Sequence, residues 1–238
     1  MKRILLLILF AFTLCGTFAA EKKQPDAQTF INIVRTPPGR QSWGLLEGSA
    51  THRRRGAATA EAPIRFAVLF SPAQTIAQII FNKTEIYDVS QAYKAPYAST
   101  IDMRGNEKRT LKDFGLRPED LTMNFIFWPF KRELEADSIR GVGCRVMVFE
   151  SPAGQECVKV YIAREYYAPL KVEWFNTPAD KMGETPFRTL EVTSFSKSGD
   201  LLVVGALSLF GPGWRTVVKF PDTKAGLTKD GVVKELFR

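Results

Sequence analysis

Large apolar residues recur at every second position over much of the chain, which is the spacing of half-buried β-strands. The cleanest run lies in residues 62–70, where the alternate positions are Ile64, Phe66, Val68 and Phe70. Turn-forming residues separate such runs, for example at residues 197–200 and 211–213. The pattern therefore predicts antiparallel strands joined by short turns.

The predicted strands cover most of the chain after residue 41. In the first half they lie in residues 42–51 and 62–70, followed by a pair joined at Asn82-Lys83 within residues 75–89. In the second half they lie in residues 143–150, 156–164, 168–175, 187–197, 200–210 and 213–221. Residues 91–110 follow neither period and are expected to be irregular. No linker or low-complexity segment divides the chain, so a single domain is expected.

Two short helices are predicted among the strands. Residues 26–38 carry apolar side chains at helical spacing as far as Pro37, which is expected to end the helix. A second helix is expected to begin at Pro118, because proline suits the first helical position and the acidic residues after it favour the first turn. Pro129 is expected to end this helix, since the residue before a proline is pushed toward extended geometry.

Residues 125–130 form an unusual aromatic stretch. They read Phe-Ile-Phe-Trp-Pro-Phe, so four of the six are aromatic and none carries a charge. Such a surface lies either against the core of the protein itself or against an apolar part of another molecule. The pattern alone leaves both interpretations open.

The first twenty residues have the layout of a secretory signal peptide. A basic start precedes an apolar run, small residues follow, and charge begins at Glu21. The apolar run is shorter than the roughly 20 residues that a membrane span needs. We therefore expect residues 1–20 to be cleaved and residues 21–238 to form a periplasmic protein. An uncleaved anchor, or a lipid on Cys15, is the alternative.

The chain is basic, with a formal net charge of +8. Part of this charge is concentrated in residues 52–56, which read His-Arg-Arg-Arg-Gly. This stretch is either a solvated hairpin tip or a docking point for lipid phosphate or an acidic partner. Nucleic acid is not expected as a partner, because the chain is exported and no recognition helix is visible.

Few side chains suit catalysis. His52 is the single histidine, so a triad or a metal site built on histidine lacks partners. The acidic pair Glu119-Asp120 fits helix capping, and phosphate-binding glycine loops and nucleophile-elbow motifs are absent from the sequence. We therefore expect a protein that is not an enzyme and that uses no cofactor and no metal.

Two cysteines, Cys144 and Cys157, belong to the expected mature chain. A disulfide between them is possible in an oxidising compartment. Both lie in one predicted hairpin, and if the valines of its two strands share a face, the thiols point to opposite faces. A bond would then need a bulge or another register.

Several stretches, in order, resemble the periplasmic lipoprotein-sorting proteins of the LolA-like and LolB-like superfamily, in its diverged branch. The most specific is Ile-Arg-Gly-Val-Gly-Cys-Arg-Val-Met-Val-Phe-Glu at residues 139–150, followed by residues 158–176, which contain Pro-Leu-Lys-Val-Glu. Residues 47–89, 110–129, 188–197 and 214–220 fit other parts of the family pattern. The resemblance covers most of residues 26–221.

The resemblance implies a mainly β fold with short helices. The expected architecture is a curved, incomplete antiparallel β-barrel that helices close over an apolar cavity. By strand parity, the cavity walls would be Phe66, Val68, Phe70, Ile79, Phe81, Val172, Trp174, Trp214 and Val218. The lid would be formed by Leu121, Phe125, Phe127 and Trp128.

The function that the resemblance implies is outer membrane lipoprotein sorting. A monomeric carrier would bind the acyl chains of lipoproteins, or phospholipid, and exchange them with inner- and outer-membrane transfer proteins. In well-studied carriers an arginine on an early strand holds the lid closed, but the sequence assigns that role to none of Arg53, Arg54 and Arg55. The alternative is a non-enzymatic envelope protein of the same fold whose interior is filled.

Overall fold

The computed structural model describes residues 24–36, 41–105, 110–199 and 201–238. Within these ranges the first half contains helix α1 (Ala27–Val34) and five strands: β1 (Ser42–Arg54), β2 (Ala60–Phe70), β3 (Gln74–Phe81), β4 (Glu85–Ala92) and β5 (Ser99–Arg104). Helix α2 (Pro118–Thr122) separates these strands from the second half. The predicted signal peptide lies outside the described residues.

The second half is almost entirely strand. Its elements are β6 (Phe130–Ile139), β7 (Val142–Glu150), β8 (Cys157–Ala163), β9 (Pro169–Phe175), β10 (Arg188–Ser198), β11 (Leu201–Gly211) and β12 (Trp214–Leu227). Short 3₁₀ turns lie at Leu111–Phe114, Asn124–Phe127, Ala179–Lys181 and Thr228–Asp230. The strands predicted from the period of two are confirmed.

All twelve strands in the described ranges form one antiparallel sheet. Their order is β5-β4-β3-β2-β1-β12-β11-β10-β9-β8-β7-β6. The sheet curves around one face without closing, because β5 and β6 are its two edges and do not pair with each other. The chain passes from one edge to the other through residues 110–129, which we call the crossing segment.

The two halves of the sheet are joined by the pairing of β1 with β12. A register shift between Glu47 and Ser49 bends this ladder. Gly48 sits at the bend, where a Cβ atom would lie 1.8 Å from the carbonyl oxygen of Lys219. A larger residue would therefore force the two central strands apart, so the sequence must keep glycine here for the halves to meet.

The helices are shorter than predicted, and residues 91–110, which were expected to be irregular, contain strand β5. The aspartate Asp26 caps α1 by accepting the backbone N–H of Thr29. Helix α2 ends at Met123, whose left-handed backbone (φ 54°) separates it from the 3₁₀ turn Asn124–Phe127. Strand β5 was missed because all its side chains are exposed, so no buried face imposes alternation.

The main core fills the concave face of the sheet. It combines inward-facing side chains of β1–β3 and β7–β12 with residues of α1 and the crossing segment. Phe30, Ile31 and Val34 of α1 are all buried in it. The helices thus cover the concave face and complete the apolar core that the curved sheet begins.

The cysteine thiols are separated along one hairpin. Cys144 lies opposite Ala163 and Cys157 lies opposite Glu150, so the two positions are at opposite ends of the β7–β8 ladder. Both are free and buried. The condition for opposite-facing thiols is not met, because the valines of the two strands occupy different faces: Val146 lies opposite Tyr161 and Val160 opposite Met147. The thiols are therefore kept apart by their separation along the strands and not by the faces on which they lie.

Truncation of a core leucine tests where the core lies. Leu190 is fully buried on β10, so we expect Leu190→Ala to lower the free energy of unfolding by about 2–5 kcal/mol. Leu202 on the neighbouring strand is 62 % exposed, and Leu202→Ala should change it by less than about 0.5 kcal/mol. Denaturant unfolding of both variants measures this, and equal losses would contradict the assignment of the core to the concave face.

Candidate functional site

The crossing segment lies across the open side of the curved sheet and packs its apolar side chains against the concave face. The buried apolar members are Leu111, Phe114, Leu116, Leu121, Phe125 and Phe127. Phe125 meets the indole of Trp174 edge-on at 5.5 Å, and Phe114 meets Phe81 edge-on at 5.0 Å. The segment therefore occupies the space that the concave face encloses.

The first part of the crossing segment is fixed by buried hydrogen bonds to three strands. The carboxylate of Glu85 on β4 accepts the backbone N–H of Leu111 at 2.8 Å. The hydroxyl of Thr216 on β12 donates to the carbonyl of Phe114. His52 on β1 contacts the same hydroxyl through Nδ1 at 2.8 Å, and burial lowers the pKa of its imidazole. His52 thus supports the segment from inside the sheet.

The middle of the crossing segment is held by a buried ion pair. The guanidinium of Arg188 on β10 donates to both carboxylate oxygens of Asp120, at 2.6 and 3.1 Å. Arg188 also lies over the ring of Trp174 at 4.2 Å and donates to the carbonyl of Gly115. Burial raises the pKa of the Asp120 carboxyl, and the charge of Arg188 acts against this. The pair therefore fixes α2 to the floor of the concave face.

The last part of the crossing segment, residues 124–129, which we call the aromatic end, is held by a second arginine. Arg35, just after α1, donates from Nε to the carbonyl of Ile126 at 2.8 Å and from Nη2 to the carbonyl of Trp128 at 2.7 Å. Its guanidinium lies 4.7 Å from the centre of the Tyr97 ring. Asn124 adds one bond, from Nδ2 to the hydroxyl of Ser99 on β5 at 3.0 Å. The aromatic end is thus held by these hydrogen bonds together with the packing of the buried Phe125 and Phe127.

A cleft of about 760 Å³ opens beside this aromatic end. It lies at the gap between the two sheet edges, since Ile101 of β5 and Phe130 of β6 both line it. The aromatic side chains Phe127 and Trp128 form another part of its wall. The polar groups in the wall include Arg35 and Asn124. The cleft is therefore the point at which solvent comes nearest to the aromatic end.

The predicted wall residues all face the concave side. Seven belong to the main core or pack against it: Phe66, Ile79, Phe81, Val172, Trp174, Trp214 and Val218. The remaining two, Val68 and Phe70, join a smaller apolar cluster on the same face of β2–β4, which Phe66 also contacts. None of the nine lines the 760 Å³ cleft. In this state the concave space is filled by side chains.

The predicted lid residues divide into two pairs. Leu121 and Phe125 are buried in the main core. Phe127 is packed beside Tyr93 and Tyr97, and both Phe127 and Trp128 face the cleft. The predicted lid residues thus extend from the main core to the wall of the cleft.

The arginines that contact the crossing segment are Arg35 and Arg188, which the sequence analysis did not single out. Arg53, Arg54 and Arg55 are exposed at the end of β1 and in the turn that follows it. Arg35 stands at the end of a short helix, where a basic residue is commonly only a helix cap, and Arg188 begins an ordinary strand. Nothing local in the sequence distinguishes these two from other arginines.

In the ranges that the structure covers, no group of three or more His, Cys, Asp or Glu side chains could hold a metal ion. Across the same residues, no helix has the length and apolar character needed to cross a membrane.

The Asp120–Arg188 pair provides a quantitative test of the anchoring. We expect Asp120→Asn and Arg188→Met each to lower the free energy of unfolding by about 3–5 kcal/mol, because each leaves a buried charge unpaired. The double variant should lose less than the sum of the two.

The exposed Arg104–Asp88 pair is the control, since its side chains are 58 % and 38 % accessible. Arg104→Met should change the free energy of unfolding by less than about 1 kcal/mol. Strict additivity at Asp120 and Arg188 would show that the two side chains do not act as a pair.

Comparison with known proteins identifies the fold. No protein-family profile and no curated protein matches the sequence. Among solved structures, a DUF1329 family protein from Desulfovibrio piger matches with a TM-score of 0.59 at 12 % identity, over 88 % of this chain and 95 % of that one.

Two other solved structures agree. A domain from Vibrio parahaemolyticus, named for outer membrane lipoprotein sorting, has a TM-score of 0.56 at 13 % identity, covering 86 % of this chain and 93 % of its own. A LolA superfamily protein from Nitrosomonas europaea has a TM-score of 0.51 at 12 % identity, covering 83 % and 92 %. At these identities the likeness concerns the fold. The chain therefore has the LolA-like fold, in a diverged form, as its sequence resemblance predicted.

Proposed function

We propose that the protein is a non-enzymatic carrier that binds acyl chains of lipoproteins or lipids between the concave face of its sheet and the crossing segment. The observation that carries this proposal is the position of the aromatic end. It lies between the apolar concave face and the 760 Å³ cleft, and hydrogen bonds from Arg35 and Asn124 hold it there. Displacing it would join the cleft to the concave face.

The energetics of such an exchange are favourable. Burying each CH₂ of an acyl chain contributes about 0.8 kcal/mol. Exposing an aromatic side chain such as Phe125 costs roughly 1.5–3 kcal/mol. A long acyl chain therefore offsets the exposure of several aromatic side chains, whereas a short one does not. The carrier would stay closed when empty and open for long-chain ligands.

The proposed setting is the bacterial periplasm. The signal-peptide layout of residues 1–20 supports export, and the fold is shared with a domain named for outer membrane lipoprotein sorting. Cargo would pass from an inner-membrane donor to an outer-membrane acceptor by opening and closing, with no covalent step.

A second candidate is an envelope protein of the same fold with a permanently filled interior. The observation that favours it is the packing of the concave face, where the predicted wall residues Ile79, Phe81 and Trp174 are at most 1 % exposed. In that case the crossing segment is fixed core, and no acyl chain enters.

Reversible locking of the crossing segment separates the two candidates. The side chains of Ser99 and Asn124 are joined by a 3.0 Å hydrogen bond, so Ser99→Cys with Asn124→Cys places two thiols close together. We expect the wild type and the reduced variant to take up a fluorescent long-chain acyl probe, and the oxidised variant not to. The measurement is probe fluorescence, with native mass spectrometry of the protein and its bound lipid.

The single variant Ser99→Cys controls for the substitution itself. Uptake by the oxidised double variant at the wild-type level would contradict a movable crossing segment. A wild type that binds neither the probe nor a co-purified lipid would contradict the carrier function. It would favour the second candidate, an envelope protein with a permanently filled interior.

A further inference from the structure

The cleft contains a buried positive charge that no carboxylate neutralises. Arg35 is 6 % exposed, and no acidic side chain in the described part of the chain forms an ion pair with it. Two carbonyls accept hydrogen bonds from its guanidinium, which lies 4.7 Å from the centre of the Tyr97 ring. Arginine has five N–H groups, so donors are left over after these two bonds. A buried cation with spare donors beside a cleft favours an anionic ligand.

The same cleft also contains a buried acceptor that lacks a donor. Asn124 is 5 % exposed, and its Oδ1 is buried with no hydrogen-bond partner in the described structure. Glu119 lines the cleft as well, and burial raises the pKa of its carboxyl. A buried amide oxygen and a desolvated carboxylate are both stabilised by a ligand that brings N–H donors and positive charge.

Aromatic rings complete the wall around these polar groups. Tyr97, Trp128 and Phe130 line the cleft together with Phe127. Ring faces attract ammonium groups, and the ring edges provide apolar contact for the first carbons of an attached chain. The cleft therefore combines one cationic donor, a pair of acceptors and an aromatic wall.

We propose that this cleft binds a head group in which a phosphate and a primary ammonium group are joined by a short linker, as in phosphoethanolamine. The phosphate lies at Arg35, and the ammonium group lies at Glu119 and Asn124. The proposal rests on the proposed function, because it places the head group of a carried lipid beside the displaced aromatic end. The same chemistry is present in the intact phospholipid and in the free head group.

Head-group selectivity follows from these contacts. A phosphoglycerol head group carries no positive charge for Glu119. A phosphocholine group is cationic but has no N–H to donate to Oδ1 of Asn124. Diacylglycerol lacks the phosphate that Arg35 would bind. Phosphoethanolamine alone among the four satisfies both ends of the cleft.

The test measures binding of phosphatidylethanolamine, phosphatidylcholine, phosphatidylglycerol and diacylglycerol with identical acyl chains to the full mature protein. We expect phosphatidylethanolamine to bind about tenfold more tightly than phosphatidylglycerol, the factor that one charge-assisted hydrogen bond supplies. Glu119→Gln should reduce this preference by most of that factor. Glu135→Gln, which removes a carboxylate from the exposed side of β6 outside the cleft, should leave it unchanged.

Soluble glycerophosphoethanolamine provides a second arm, followed by NMR shifts of residues around the cleft. Shifts at Asn124 and Trp128 that Glu119→Gln weakens support the head-group site, even if no acyl probe is taken up. Such a result would contradict the carrier function but not the head-group site. Equal binding of all four lipids, with no shift from the soluble head group, overturns the head-group site while leaving acyl binding intact. Selectivity that survives Glu119→Gln overturns the assignment of the ammonium group.

Discussion

The edges of the sheet, β5 and β6, do not pair, and the apolar face that the sheet curves around would otherwise meet water along the gap. Burying that face is the condition on which the rest of the structure depends, because apolar burial is the dominant favourable term in folding. Pairing of β5 with β6 does not close the gap, so α1 and the crossing segment cover the apolar face instead. The same condition makes the cover replaceable in principle, since an acyl chain is as apolar as the side chains that now occupy the space.

The attachments of the crossing segment differ in kind along its length. Its first part is tied by buried contacts with Glu85 and Thr216, and its middle by the bidentate ion pair of Asp120 with Arg188. Breaking such a pair costs about 3–5 kcal/mol. The aromatic end is held by two hydrogen bonds from Arg35, which contribute about 1.5–3 kcal/mol each, by one from Asn124, and by the packing of Phe125. These attachments are together as strong as the ion pair, but they lie at the wall of the cleft, and for that reason the proposed opening moves the aromatic end while α2 stays in place.

Much of the fold was predictable because period-two alternation is imposed by burial of one face. The strand positions and the inward direction of Phe66, Ile79 and Val172 follow from parity alone. Strand β5 was not predicted, because it has no buried face to impose an alternating pattern. The facing of Cys157 was left open because β7 and β8 are both apolar on two faces, and only the register of the ladder resolves which face is which.

The polar anchors were not predictable in the same way. Arg35 reaches carbonyls more than ninety positions away in the sequence, and Arg188 reaches a carboxylate sixty-eight positions away. Such contacts depend on how the sheet curves, which no local pattern encodes. The break at Met123 is likewise set by the tertiary position of the aromatic end, because the local sequence favours one continuous helix up to Pro129.

The central claim is that the aromatic end leaves the concave face when an acyl chain enters. Hydrogen–deuterium exchange of the mature protein, with and without a long-chain phospholipid, tests it most directly. The backbone N–H groups of Ile126 and Trp128 donate within the crossing segment, to Met123 and Phe125. The account predicts that their exchange accelerates when lipid binds, while the amides of β8 and β9 stay protected. Bound lipid with unchanged or slower exchange at Ile126 and Trp128 would contradict it.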